Sequence, residues 1–140
     1  MRADCHMHTY FSGDSEAKPE DMVLAAIDKG LEAICFTDHE DIDYFCDDIE
    51  FVFDPETYFK ELGALKEKYK EKLDIRIGVE FGLQPHLAKK AKTFTAANPY
   101  DFVIGSMHVV GGKDPYYPEF FEGISDVSDG LSHIFLLFYR

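Results

Sequence analysis

The sequence predicts an α/β fold built on parallel strands, and three observations carry that reading. Short apolar, β-rich runs alternate with stretches long enough for one helix each, which is the pattern of strand-helix-strand units. Pro and Gly or Asn punctuate the stretches in between where helices should start and stop. Each strand run also ends in a metal-type side chain. Asp4-Cys5-His6-Met7-His8 comes first, Ala33-Ile34-Cys35-Phe36-Thr37 runs into Asp38-His39, Ile75-Arg76-Ile77-Gly78-Val79 into Glu80, and Phe102-Val103-Ile104-Gly105-Ser106-Met107 into His108. Parallel strands bring their C-terminal ends to one side, the side on which β/α barrels build their active sites.

The first strand covers about residues 2–8, where His6 and His8, two apart, leave the same face and can reach one ion together. A polar loop with Ser12, Gly13, Asp14, Ser15 and Glu16 follows. Pro19 opens the first helix, Glu20 and Asp21 suit the positive end of its dipole, and Gly30 caps it, with Met22, Val23, Ala26 and Ile27 as the apolar stripe. A second strand is expected at about 32–37. From Asp41 to Asp54 the chain is acidic and irregular, with Tyr44, Phe45, Phe51 and Phe53 as anchors, and reads either as a cover over a substrate or as a solvated loop with packed aromatics.

Asp54 is an N-cap with Pro55 at the first helical position, and Tyr58, Phe59, Leu62, Leu65 and Tyr69 recur at helical spacing to about Lys72. A third strand is expected at about 74–80, a helix from Pro85 to about Asn98, and a fourth strand at about 101–108. Val109 to Gly123 is a loop rich in Gly, Pro and Tyr. Residues 125–132 are polar, and His133 to Arg140 form an apolar end with no matching helix, so the expected division is a domain over 1–123 and a non-matching tail over 124–140.

At 140 residues, 46% hydrophobic and 15% aromatic, the chain can form one domain with a real core. A formal charge of −13 argues against a nucleic-acid surface, which needs clustered Lys and Arg, so any phosphate must be attracted locally. Cys5, Cys35 and Cys46 form no CxxC and are odd in number, which fits a reducing cytoplasm better than a disulfide framework. Met1-Arg2 leads straight into the first strand and no apolar run approaches a bilayer span, so neither a signal peptide nor a membrane segment is expected.

Taken jointly, the recurring ligands read as a polynuclear metal site. His6-x-His8, Thr37-Asp38-His39, Gly78-Val79-Glu80-x-Gly82 and Ser106-x-His108, in that order, resemble the polymerase and histidinol phosphatase (PHP) superfamily. Phe11-Ser12-Gly13-Asp14-Ser15, Gly82-Leu83-Gln84-Pro85 and Val109 to Pro115 point within it to the monofunctional histidinol-phosphate phosphatases. The resemblance implies a distorted β/α barrel of seven strands, here about its first four βα units with an aberrant or truncated C-terminus.

It further implies up to three divalent metals, Mn, Zn or Fe, with His6, His8 and Glu80 on the first, Glu80 and His108 on the second, and Asp14 with His39 on the third. Glu80, His108 and His39 then form the catalytic centre, and Ser12, Ser106 and His86 are candidate substrate contacts, His86 being read more readily as an exposed residue at a helix start. Asp38 is expected to orient a histidine or shape its turn. The implied reaction is hydrolysis of a small phosphate ester, L-histidinol phosphate, in histidine biosynthesis, impaired in this chain because the family's later ligands have no counterpart beyond the unassigned His133. A phosphoesterase acting on nucleotides or nucleic-acid ends, and a metal-binding fragment without catalysis, are the alternatives. Half a barrel leaves unpaired sheet edges, so a homo-oligomer is possible.

Overall fold

The computed structural model describes residues 1–45 and 49–123, so Cys46 and the stretch with His133 lie outside the described residues. Strands β1 (Ala3–Met7), β2 (Ala33–Phe36), β3 (His39–Glu40), β4 (Asp74–Gly82) and β5 (Phe102–Ser106) form one parallel sheet, and helices α1 (Pro19–Asp28), α2 (Pro55–Tyr69) and α3 (Ala88–Ala97) connect them. This is the predicted α/β architecture. The second predicted strand is divided: β2 pairs with the first half of β4 and β3 with its second half, across a break at Thr37 and Asp38. β5 lies on the other flank of β4, so β1 and β5 each have one strand partner among the described residues.

Alternation along the strands decides what each face carries. Ile34, Phe36, Ile75 and Ile77 point to the side where Val23 and Ala26 of α1 and Tyr58, Leu62 and Leu65 of α2 complete the main core. Both helices start as expected, with Pro19 and Pro55 in the first turn and the Asp54 carboxylate accepting from Thr57 N at 2.9 Å. The opposite face of the sheet carries His6, Glu80 and Ser106. Two boundaries move: Pro85 opens a short 3-10 turn (Pro85–Leu87) before α3, and the loop after β5 contains a second one, Pro118–Phe121.

The acidic stretch after β3 folds back on the sheet. Asp41 N donates to Phe51 O at 2.7 Å, Phe53 packs on Tyr58 with ring centroids 4.2 Å apart, and Phe51 stands edge-on to His39 at 5.1 Å. Its aromatics therefore serve both readings, core anchor for Phe53 and site wall for Phe51. Among the described residues no helix is long and apolar enough to cross a membrane.

Candidate metal centre

Glu80 is the middle of the site because β4 is the middle of the sheet. Its carboxylate is almost wholly buried, yet it faces four donors: Oε2 lies 2.7 Å from His6 Nε2 and 3.0 Å from His8 Nε2, while Oε1 lies 3.0 Å from His108 Nε2 and accepts from Ser106 Oγ at 2.6 Å. Burial works against the charge, but His108, His8, Ser106 and His6 together hold the carboxyl well below the usual range. His8 also reaches Asp14, its Nδ1 3.0 Å from Oδ2, and the two carboxylates raise it to about 9 against the effect of burial.

His39 enters because the two-residue break after β2 turns the chain before β3 begins, and parallel pairing then sets His39 level with Glu80. Its Nε2 lies 3.6 Å from Asp14 Oδ2 and 3.9 Å from Glu80 Oε2. Asp38 secures the break: its Oδ1 accepts from Thr9 N at 2.5 Å, Thr9 Oγ1 at 2.9 Å and Ser12 Oγ at 3.1 Å, and Ser12 Oγ in turn accepts from His39 N at 2.8 Å. Asp38 thus shapes the turn and ties the loop after β1 to it.

Three overlapping groups gather ligand atoms within 4.8 Å of one another: His6, His8 and Glu80; His8, Asp14 and His39; and His39, Glu80 and His108. All six side chains expected as ligands are brought together. Imidazole nitrogens and carboxylate oxygens at these separations fit divalent transition ions, and among the described residues the cluster has no Lys or Arg partner.

Two expected substrate contacts have other partners in the structure. Ser12 is buried and its hydroxyl is used on both sides, by Asp38 and by His39 N, so it is a strut and offers substrate no free donor. His86 is exposed beside Asp43, 3.1 Å from its Oδ2, and lines no part of the cleft described next. Ser106 remains at the site, although its hydroxyl is directed to Glu80.

One residue escaped the sequence reading. Asp41, the residue after β3 and two positions after His39, is buried behind the histidines, with Oδ2 2.7 Å from His108 Nδ1 and 3.3 Å from His39 Nδ1. The i, i+2 spacing His39-x-Asp41 was the available signal. His108 is raised to about 10, because Asp41 and Glu80 outweigh its burial.

A cleft of about 420 Å³ opens beside these groups, bounded by Asp14, His39 and His108 on one side and by Tyr44, Phe51, Tyr116, Tyr117 and Asp114 on the other. Tyr44 donates to Asp114 Oδ2 at 2.6 Å. Among the described residues no Lys or Arg lines it.

The family model for the PHP domain matches residues 4–136. This chain belongs to the PHP domain family. The match includes every candidate ligand of the PHP site and continues beyond residue 123. Histidinol-phosphatase from Lactococcus lactis is 37% identical over 115 residues, covering 82% of this chain and 42% of that protein. A probable histidinol-phosphatase from Clostridium acetobutylicum is 36% identical over 83% of this chain and 43% of its own length. The crystal structure of the Lactococcus lactis histidinol phosphate phosphatase, complexed with zinc, L-histidinol and phosphate, matches this PHP domain with a TM-score of 0.87 at 34% identity, covering 97% of this chain and 51% of that one. The chain thus spans about half the length of these relatives.

Proposed function

We propose that this chain carries metal-binding residues of a histidinol-phosphate phosphatase, an enzyme that releases phosphate from L-histidinol phosphate in the cytoplasm. The observation that carries the reading is the position of Glu80, a single buried carboxylate belonging to two of the three ligand groups and so able to bridge two ions. The relatives that share this sheet and bear that activity in their names support it.

In this reading His6, His8 and Glu80 hold one ion, His39, Glu80 and His108 a second, and His8, Asp14 and His39 a third, with zinc favoured by the bound metal of the solved relative and Mn or Fe compatible with the same donors. Bound divalent ions lower the pKa of water toward neutrality and offset charge on the phosphoryl oxygens. The chain's own groups supply placement. Ser106 fixes Glu80 Oε1 by its hydrogen bond, and the rings of Tyr44, Phe51, Tyr116 and Tyr117 form walls on which a flat imidazole can lie. Asp114 places a carboxylate where a cationic amine is welcome. Among the described residues no Lys or Arg lines the cleft to meet the phosphate, a task that bound divalent ions would fill.

The test is phosphate release by this chain, supplied with zinc or manganese, from L-histidinol phosphate, nucleotides and simple aryl phosphates. A higher kcat/KM for histidinol phosphate than for any nucleotide is expected. Preference for nucleotides would overturn the substrate, and metal uptake with no hydrolysis of any ester would leave a metal-binding domain only.

A further inference from the structure

We propose that Asp41 is a positioning residue shared by two of the metal sites, a single carboxylate that aims His39 and His108 together. The proposal rests on the metal reading above and adds to it a group that binds no ion itself.

The geometry is one of back and front. Asp41 Oδ2 lies 2.7 Å from His108 Nδ1 in a hydrogen bond, and 3.3 Å from His39 Nδ1, within charge contact but off the hydrogen-bond direction. Both rings therefore turn their Nδ1 side to Asp41 and their Nε2 side to Glu80, 3.0 Å away from His108 and 3.9 Å from His39. The rings stand 4.8 Å apart at 68°, as two spokes from one carboxylate would. A histidine that binds metal through one nitrogen generally gives its other N–H to a carboxylate or carbonyl, which fixes the tautomer and the ring plane. Asp41 meets that need for His108 by a hydrogen bond and faces His39 Nδ1 within charge contact, close enough for a small turn of the ring to complete a second one.

The surroundings are built to keep it there. The Asp41 side chain is only 5% exposed, and its Oδ1 has no hydrogen-bond partner among the described residues. Its polar contacts are thus the two imidazoles, an arrangement that would be costly for a carboxylate with no cation nearby. A glycine makes room: a methyl group on Gly82 would overlap Asp41 Oδ1 and come within 3.3 Å of its Cα. Gly82 ends β4 just beyond Glu80, so one strand supplies both the bridging carboxylate and the space for the positioning one.

Zinc binding to this chain, followed by chelator competition, tests the proposal in Asp41→Asn, Asp41→Ala and Gly82→Ala, with the exposed Asp43→Asn as control. Asp41→Asn keeps the side-chain shape where Asp41→Ala leaves a hole, and Gly82→Ala displaces the carboxylate without removing it. The expected result in all three is an affinity about 10- to 100-fold lower at the sites holding His39 and His108, with the His6, His8 and Glu80 site unchanged. The visible spectrum of the cobalt-loaded chain should change in parallel, and Asp43→Asn should match the unmutated chain in both readouts. Unaltered affinity and cobalt spectrum in a folded Asp41→Asn would overturn the proposal, as would an equal loss at every site. An unmutated chain that takes up no zinc overturns this and the metal reading together. Selective loss in a chain that hydrolyses no ester supports the positioning role while the phosphatase reading fails.

Discussion

His39 and Glu80 are register partners across the parallel ladder of β3 and β4, two candidate ligands on different strands set side by side by backbone pairing. Their relative height is set by the ladder, and the remaining donors converge on Glu80 from both sides. Glu80→Gln should therefore lower metal content most among the ligand substitutions. The change keeps the shape but removes the charge shared by two ligand groups, leaving His8, Asp14 and His39 intact. Metal analysis after dialysis should find about one ion per chain or fewer, and stoichiometry equal to the unmutated chain would contradict the bridging role.

Metal uptake should release protons. In the chelator-stripped chain His8 and His108, raised to about 9 and about 10, are protonated at pH 7.5, and a histidine must be neutral to bind an ion. Release of about two protons per chain is expected, readable by calorimetry in buffers of different ionisation enthalpy. The stripped chain should also show a pH window. The raised histidines contribute stability that is fully present below pH 6.5 and lost as pH rises through about 9 and 10. Glu80, held low, contributes stability present above pH 4.5 and lost as pH falls below it. Melting temperature should thus decline from neutral pH toward pH 10, and added zinc should flatten the decline.

Tyr58 is fully buried in α2, its hydroxyl donating to Gly78 O at 3.2 Å and accepting from Asp38 N at 3.5 Å, so that one side chain ties the helix to β4 and to the break before β3. Tyr58→Phe should cost about 1 kcal/mol, whereas Leu62→Ala, which removes packing in the same helix, should cost roughly 2–5 kcal/mol. Thermal unfolding of the two variants at equal metal loading checks the order, and a Tyr58→Phe loss as large as that of Leu62→Ala would contradict it.

Thiol chemistry should separate two cysteines. Cys5 is exposed and Cys35 is buried on β2, where burial, with smaller help from Cys5 and Asp101, pushes its thiol up to about 12. Brief alkylation of the native chain at pH 8, followed by peptide mapping, should modify Cys5 and spare Cys35. Equal labelling would mean that the β1–β2 pair opens readily.

The sheet and the convergence of the six candidate ligands were legible because each strand announced itself by apolar residues and ended in a donor, and because parallel pairing leaves such ends little choice of where to meet. Asp41 was not, since its role depends on the break at Thr37 and Asp38, which restarts the alternation and turns an apparently loop-bound acid inward. The partner of Ser12 was hidden for a related reason: a hydroxyl beside a ligand loop suits substrate as well as protein, and only the fold brings the buried Asp38 to it. His86 sits at a helix start, as read, but its partner Asp43 belongs to the long acidic stretch whose path no periodicity reveals. Residues 124–140 gave neither a motif nor a described structure.

Because β4 stands between β2 and β5 in space yet comes late in the chain, the cluster cannot assemble in the order in which it is made. His8 and Glu80 are 72 residues apart, so at bacterial or eukaryotic elongation rates the first imidazoles leave the ribosome roughly 4 to 14 s before the carboxylate that they share. Early in that interval an ion has two histidines and one aspartate to hold it, all on a single exposed strand and its loop, and His39 joins them before Glu80 is made. Loading with metal should therefore be a late event in the life of each molecule, with the supplying ions competing for a chain whose first two crossovers, α1 and α2, are already made.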